Sequence, residues 1–158
     1  NEKISTIKPS SLTETDFSMY KINIDGVPIK GKIDRIDFVE NSVNVVELVD
    51  YKTGVASSAS VSTKNKGDYY VQLLFYKLLI DNYPKYNWSV ESGRLIYIDP
   101  DNSGKPQKDR ELILPDEDIN WLKSELQKTY QEIMNMEFSL KNEKDCYNKE
   151  LHDINFTF

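Results

Sequence analysis

An aliphatic, mostly β-branched run that ends at a charged triplet is the feature that most constrains the fold. Residues 43–49 include four valines and one leucine, and Asp50, Tyr51 and Lys52 follow directly. A short run that is apolar on both alternating faces is typical of a strand buried in the middle of a sheet. The pattern therefore predicts a central strand whose last residues are charged.

The residues before this run predict two further strands. We expect residues 1–13 to form a polar lead-in loop and residues 17–24 to form a strand with a slipped register. Asp25-Gly26 is a typical hairpin turn, because both central positions of such a turn favour positive φ. Residues 29–39 are then predicted to form the returning strand.

The residues after the run change in character several times. The segment 54–67 is small and polar, so we expect a mobile loop. Dense apolar residues before Pro84 predict a helix with Asp68 at its N-cap. In chain order, the predicted elements of this half are a helix, two strands joined by a loop, and a long amphipathic helix: residues 69–82, 94–98, 111–114 and 116–136. This order predicts a mixed α/β architecture.

Length and composition indicate one soluble domain that spans residues 1–158. Because the chain begins with Asn1 and not with methionine, we expect it to be a piece of a larger protein. A single cysteine, Cys146, excludes an internal disulfide and fits a reducing compartment, so we predict a cytoplasmic location. No apolar run approaches the ~20 residues that span a bilayer, so we predict no membrane association.

The net charge of -6 is unusual for a protein that binds nucleic acid by itself. It is less unusual for a nuclease site, because clustered acids are needed to hold a metal ion. We therefore expect a partner or a neighbouring domain to supply the basic surface.

Two carboxylates and one amine lie in the segments that flank the central strand. Asp50 and Lys52 are two positions apart, so they project from the same face of a strand, and Tyr51 projects from the other. We place Asp34 at the end of a strand, where it meets Asp50 if the two strands are neighbours. Two adjacent carboxylates repel each other unless a cation lies between them, and oxygen ligands suit Mg²⁺ or Mn²⁺. Such a cation would polarise a phosphoryl oxygen, and Lys52 would position a water or neutralise developing charge.

Gln72 and Tyr76 are four residues apart on the first predicted helix, so they share one face. We expect that face to point toward the loop 54–67 and the strand ends. An amide and a phenol in this position would hold a phosphate backbone or orient Lys52.

These segments resemble a known family. The strings GKIDRID (31–37), VDYKTG (49–54) and QLLFY (72–76), in this order, resemble the RecB-type exonuclease branch of the PD-(D/E)xK phosphodiesterase superfamily. The resemblance implies a restriction-endonuclease-like mixed sheet flanked by helices. It also implies a Mg²⁺- or Mn²⁺-dependent DNA nuclease associated with a helicase domain or subunit in recombination or repair.

The same resemblance implies a role for each matching residue. Asp34 would be the first metal-binding acid, and Asp50 with Lys52 would be the D-x-K pair, helped by the Tyr51 backbone carbonyl. Gln72 and Tyr76 would be the Q-x-x-x-Y motif of the catalytic site. Glu14 resembles an acid that often precedes the first strand and would be a further metal ligand.

The chain departs from this branch in two ways. Its members usually carry a metal-binding histidine before the first strand, whereas the only histidine here is His152. Many members also hold an iron–sulfur cluster through three cysteines in a C-x2-C-x5-C pattern. Here Cys146 occupies the first of these positions, and Lys149 and Asn155 occupy the other two. One thiolate cannot hold such a cluster, so we expect none.

Other interpretations of the same residues stay open. Asp34, Arg35 and Asp37 form a surface ion-pair ladder if the segment is merely structural. If the missing histidine is required for catalysis, the domain as a whole is a catalytically inactive nuclease fold that binds DNA or braces a helicase. A small-molecule hydrolase lacks any recognisable nucleophile–base pair. The tyrosines of the first helix and its C-terminal flank either stack on bases or pack in the core.

Overall fold

A computed structural model describes residues 11–40, 42 and 44–136 of the chain. The predictions that concern Cys146, His152 and the cysteine-like pattern around them lie outside the described residues. The elements, in chain order, are β1 (Ser11–Asp16), a 3₁₀ helix (Ser18–Tyr20), β2 (Ile22–Ile24), β3 (Val27–Ile29), β4 (Lys32–Phe38), β5 (Val45–Lys52), α1 (Asp68–Asp81), β6 (Ser89–Tyr97), β7 (Arg110–Ile113) and α2 (Asp116–Met134).

The main sheet has five strands in the order β1-β4-β5-β6-β7. Strands β5 and β6 are parallel and are joined by a crossover that contains α1, whereas the other neighbouring pairs are antiparallel. The valine-rich strand β5 is therefore the central strand, as its sequence predicted. This arrangement confirms the predicted α/β class, a mixed sheet with flanking helices.

The predicted hairpin turn is present between β2 and β3, which form a separate two-stranded sheet. Asp25 and Gly26 both have positive φ, at 49° and 95°. The sequence predicted a single returning strand over residues 29–39. This prediction is wrong, because there is a break in the strand between β3 and β4. Gly31 lies at this break against α1, where an added Cβ would be 2.7 Å from Leu79 Cδ1.

The predicted lead-in loop is wrong for its last residues, because Ser11–Asp16 forms the edge strand β1 against β4. The strand expected to begin near Phe17 is also wrong in its first part. Phe17 is fully buried, but a 3₁₀ helix follows it, and the Ser18 backbone N–H donates a 2.7 Å hydrogen bond to Asp16 Oδ1. A local side-chain cap thus replaces strand pairing at this point.

The core lies between the sheet and α1. Ile36 and Leu48 from β4 and β5, Leu95 from β6, and Leu73 and Leu74 from α1 are all completely buried. This packing explains why the α1 sequence is apolar on nearly every side. It also fixes the distance between α1 and the strand edge where the charged residues lie.

Both predicted helices are present, with ends that differ by one or two residues from those expected. Gly67 and not Asp68 is the N-cap of α1. In α2, Ile119 and Leu122 are buried, whereas Ile133 is 52% exposed and does not belong to the packed face. No helix in the described part of the chain is long and apolar enough to cross a membrane.

The two strands predicted after α1 are also present. Strand β6 begins five residues earlier than expected, at Ser89, and β7 pairs with it in the antiparallel direction. The longer β6 pairs with β5 as far as Lys52, so it supports the strand end that carries the charged residues.

Candidate active site

The two aspartates of the predicted site lie at the same edge of the sheet. The register pairs Arg35 with Val49, so the next position along places Asp34 beside Asp50. Asp34 is near the start of β4 and not at a strand end as expected. The antiparallel pairing nevertheless brings the start of β4 to the end of β5. The Tyr51 backbone N–H donates a 3.1 Å hydrogen bond to Asp34 Oδ2, which ties the two strands together here.

Asp50 is an ionisable group in an unfavourable place for a negative charge. It is only 2% exposed. Burial raises the pKa of Asp50, and the charge of Asp34 raises it further, whereas contacts with Lys52 oppose the rise. The net shift is upward, so Lys52 alone does not compensate fully for the buried carboxylate.

The Lys52 ammonium has a defined position above this carboxylate. Its Nζ lies 2.6 Å from Asp50 Oδ2 and donates a 2.5 Å hydrogen bond to Gln72 Oε1. The same nitrogen lies 4.3 Å from the centroid of the Tyr69 ring. The Lys52 side chain is therefore held at the strand end by both β5 and α1.

Gln72 and Tyr76 share a face of α1, and they connect Lys52 back to Asp50. Gln72 Nε2 donates a 2.8 Å hydrogen bond to the Tyr76 hydroxyl, which donates a 3.2 Å hydrogen bond to Asp50 Oδ1. Burial, followed by the charge of Asp50, raises the pKa of Tyr76 to about 12. The phenol thus stays protonated at neutral pH and remains a donor to Asp50. The four side chains form a closed ring of polar contacts.

The oxygen atoms of the site fit a hard divalent cation. Asp50 Oδ2 is buried, and its polar contact within the described residues is the ion pair with Lys52 at 2.6 Å. Asp34 lies at the same strand end, and the Tyr51 carbonyl stays a predicted third ligand. In the described ranges no group of three or more His, Cys, Asp or Glu side chains is placed to hold a metal ion. Two carboxylates suit Mg²⁺, which keeps several waters when it binds proteins.

The structure does not bring Glu14 into this group. Glu14 lies opposite Asp34 across β1 and β4, between the paired residues Thr13 and Thr15. It has a left-handed φ of 53°, and its carboxylate forms an exposed ion pair with Lys32. The loose sequence match for Glu14 thus has no geometric support as part of the Asp34–Asp50 cluster.

The segment 54–67 follows Lys52 and has no regular secondary structure, as expected. It nevertheless makes specific polar contacts with another loop. Gln107 accepts a 2.7 Å hydrogen bond from the Ala56 backbone N–H and donates one of 2.8 Å to the Gly54 carbonyl. Gly67 at its end has no space for a side chain, since an added Cβ would lie 2.1 Å from a carbonyl oxygen of the same loop. Ala56 and Val61 of the same loop pack against the hydrophobic core, and the mobility of the loop stays a prediction.

The charged residues on the opposite face of β4 form the surface ion pair that the structural interpretation expects. Arg35 donates hydrogen bonds of 2.6 and 2.7 Å to the two carboxylate oxygens of Asp37 and one of 3.1 Å to the Tyr51 hydroxyl. The structural interpretation therefore holds for Arg35 and Asp37. Asp34 lies on the other face and does not belong to this pair.

Of the two interpretations that the sequence left open for the tyrosines, packing is confirmed for three, and stacking on bases stays a prediction. Tyr70, Tyr76 and Tyr83 are at most 8% exposed, which confirms the packing interpretation for these three. Tyr86 is 38% exposed and stacks on Trp88 with a centroid distance of 4.1 Å.

Two residues of the site were not assigned roles from the sequence. Tyr69 contacts the Lys52 ammonium, and Gln107 anchors the loop that follows Lys52. Tyr69 precedes Gln72 by three residues, a spacing that places both on one side of a helix and was a usable signal. No local pattern signals Gln107, because its partners are about fifty residues away in the chain.

Comparison with known proteins assigns the family. A model of the PD-(D/E)XK nuclease superfamily matches residues 2–149, so the chain belongs to this superfamily. Nucleases of this superfamily generally use divalent metal ions. The chain is thus a nuclease-type domain by family, and the acidic edge described above is its candidate site.

Comparisons with curated proteins and with solved structures do not narrow the family further. No curated protein matches the chain. Among the solved structures that match is one named "Crystal structure of SSO0001", with a TM-score of 0.48 and 20% sequence identity. The alignment covers 86% of this chain and 55% of that one, so the chain spans about half the length of that protein.

Proposed function

We propose that the protein is a metal-dependent DNA nuclease domain that hydrolyses phosphodiesters with Mg²⁺ or Mn²⁺. The observation that carries this proposal is the position of the Lys52 ammonium, 2.6 Å from the buried Asp50 carboxylate and hydrogen-bonded to Gln72. The Lys52 side chain is only 12% exposed, and a lysine held against a buried carboxylate at a sheet edge is the pattern of a reaction site.

Each residue has a distinct task in this proposal. Asp34, Asp50 and the Tyr51 carbonyl would hold the cation, which when bound polarises a phosphoryl oxygen and lowers the pKa of a water. Lys52 positions the attacking water and neutralises the negative charge that develops on the phosphate. Gln72 orients Lys52. We leave Glu14 outside the ligand set because its carboxylate is paired with Lys32.

The narrower assignment rests on the motifs. The order of the D-R-I-D, D-Y-K and Q-x-x-x-Y segments supports a RecB-type exonuclease domain that works in the cytoplasm with a helicase domain or subunit in recombination or repair. The net charge of -6 supports the need for such a partner, because an acidic surface repels DNA. We therefore expect the isolated domain to cut weakly.

The test is a nuclease assay on labelled single- and double-stranded DNA with Mg²⁺ or Mn²⁺. Lys52→Ala should abolish cutting, because it removes the group that serves the water and leaves the acidic ligands in place. Lys128→Ala is the matched control, since it removes an exposed lysine of α2 far along the chain from the motifs. Equal cutting by the wild type and Lys52→Ala would show that the activity comes from another site or a contaminant.

A second candidate is an inactive nuclease fold that binds DNA or braces a helicase. It is favoured by the two-carboxylate donor set, which has no third His, Cys, Asp or Glu within the described residues. The two candidates differ in metal binding. A protein that binds labelled DNA in a gel-shift assay, but shows neither cutting nor a change of melting temperature at millimolar Mg²⁺ or Mn²⁺, would support this second candidate.

A further inference from the structure

The Lys52 ammonium is enclosed by three different groups. Asp50 supplies a carboxylate oxygen at 2.6 Å, and Gln72 supplies an amide oxygen at 2.5 Å. Tyr69 supplies the face of its ring, whose centroid lies 4.3 Å from Nζ. The first two groups belong to the motifs that define the site, but Tyr69 does not. Its contact therefore needs a separate explanation.

The Tyr69 ring is fixed with respect to the strand end. Tyr69 lies in the first turn of α1, and its backbone N–H donates a 3.0 Å hydrogen bond to the Ser60 carbonyl. The ring is half-buried and packs against the hydrophobic core. Within the described part of the chain its hydroxyl makes no hydrogen bond to a side chain, so the contact with Lys52 belongs to the ring face.

A second aromatic residue closes the strand side of the same position. Tyr97 is the neighbour of Lys52 in the parallel pairing of β5 and β6, so both side chains leave the sheet on the same face. Tyr97 is only 7% exposed. The flexible Lys52 side chain thus has Tyr97 beside it on the sheet and Tyr69 beside it on the helix.

We propose that Tyr69 is a positioning residue for Lys52, in which the ring face holds the ammonium at the Asp50 carboxylate. A lysine has four rotatable side-chain bonds, and hydrogen bonding alone restricts only its tip. A cation beside an aromatic face in a partly desolvated site is attracted by the ring quadrupole, and this attraction disfavours conformers that swing into solvent. The role of this contact in catalysis rests on the proposed function, but the contact itself does not.

The first test measures the contact without metal or DNA. In protein labelled with ¹³C-lysine, the Lys52 ε-methylene protons should be shifted upfield by the ring current, and Lys52→Met identifies their signal. Tyr69→Phe should keep the shift, because it keeps the ring. Tyr69→Leu and Tyr69→Met should lose it, and two non-aromatic variants are used so that one remains if the other does not fold. An unchanged shift in the folded non-aromatic variants would overturn the proposal, whatever the protein cuts.

The second test measures the consequence for cutting. Tyr69→Leu and Tyr69→Met should lower kcat by about tenfold, the size expected of one partly desolvated cation–aromatic contact, with little change in KM or in the metal midpoint. Tyr69→Phe should stay within about twofold of the wild type. An equal loss in Tyr69→Phe would assign the effect to the hydroxyl and overturn the proposal. A wild type without Lys52-dependent cutting would instead refute the proposed function and leave the resonance result standing.

Discussion

Strands β4 and β5 present charged side chains on both faces of the sheet, and only the face under α1 has the features of an active site. On that face Asp34, Asp50 and Lys52 lie at one edge. On the opposite face Arg35 forms two hydrogen bonds with Asp37. Charged residues on the same two strands therefore lie in two different environments, one on each face of the sheet.

The difference lies in burial and in how completely each acid is paired. The Asp37 side chain is 23% exposed and receives two hydrogen bonds from the Arg35 guanidinium. Glu47 on the same face is paired with Arg94 at 2.9 Å. The Asp50 side chain is 3% exposed, and its Oδ2 has an ion-pair contact but no hydrogen bond within the described residues. Burial under α1, and not charge content, distinguishes the face with the candidate site from the structural one.

The largest expected difference between the faces is in cutting. Asp50→Asn should lower the metal-dependent cleavage rate by about 100-fold or more, because it removes charge from the group that holds the cation. Asp37→Asn should change the rate by about twofold at most, since its ion pair is partly exposed. Initial rates on labelled DNA with Mn²⁺ measure both. Comparable losses in the two variants would mean that the faces are not functionally distinct.

The next difference is in stability. Lys52→Met should lower the free energy of unfolding by about 2–3 kcal/mol, because it leaves a buried carboxylate without its cation. Arg35→Met should lower it by at most about 1 kcal/mol, as expected of a partly exposed pair. Urea denaturation at neutral pH in EDTA gives both values. If the Arg35 variant is the less stable of the two, burial does not distinguish the faces as argued.

Metal binding should produce a smaller, selective stabilisation. Mg²⁺ or Mn²⁺ at about ten times its Kd should raise the free energy of unfolding by about 1.4 kcal/mol, because it binds only the native state. Asp50→Asn should abolish this rise and Asp37→Asn should retain it. Thermal melts over a metal titration make the comparison. An Asp50→Asn protein that still responds to metal would place the cation elsewhere.

The smallest expected effect is on pH dependence. The pKa of Asp50 is raised in the folded protein, so the native state binds this proton more tightly than the unfolded state. Protonated Asp50 therefore adds to the free energy of unfolding at low pH. This stabilisation is lost as the pH rises from about 4 through the raised pKa of Asp50 in the folded protein. In EDTA, Asp50→Asn should therefore lose less stability over this window than the wild type. Parallel profiles for the two proteins would contradict the raised pKa of Asp50.

Much of the fold was predictable because local patterns and tertiary packing agree. The apolar run before Asp50 lies in β5, the middle strand of the sheet, where Val46, Leu48 and Val49 are buried. Asp25-Gly26 supports the positive φ values that its turn requires. The start of β4 was not predictable in this way. The break at Gly31 depends on contact with α1, which is far along the chain.

The candidate site was predictable in composition but not in geometry. The motifs named Asp34, Asp50, Lys52, Gln72 and Tyr76, and the structure brings all five to one edge of the sheet, while their roles stay predictions. Contacts from outside the motifs were missed, as was the ion pair that separates Glu14 from the cluster. These depend on where helices and loops pack after the sheet has formed.

The sequence by itself determined the alternation of charges on β4 and β5, because side chains of a strand point to opposite faces with a period of two residues. It also determined which side chains of α1 share a face. Only the tertiary structure decided which face of the sheet α1 covers, that Tyr69 lies against Lys52, and that Gln107 anchors the following loop. Burial and long-range contacts depend on packing between segments distant in the chain, and these set the charge balance at Asp50.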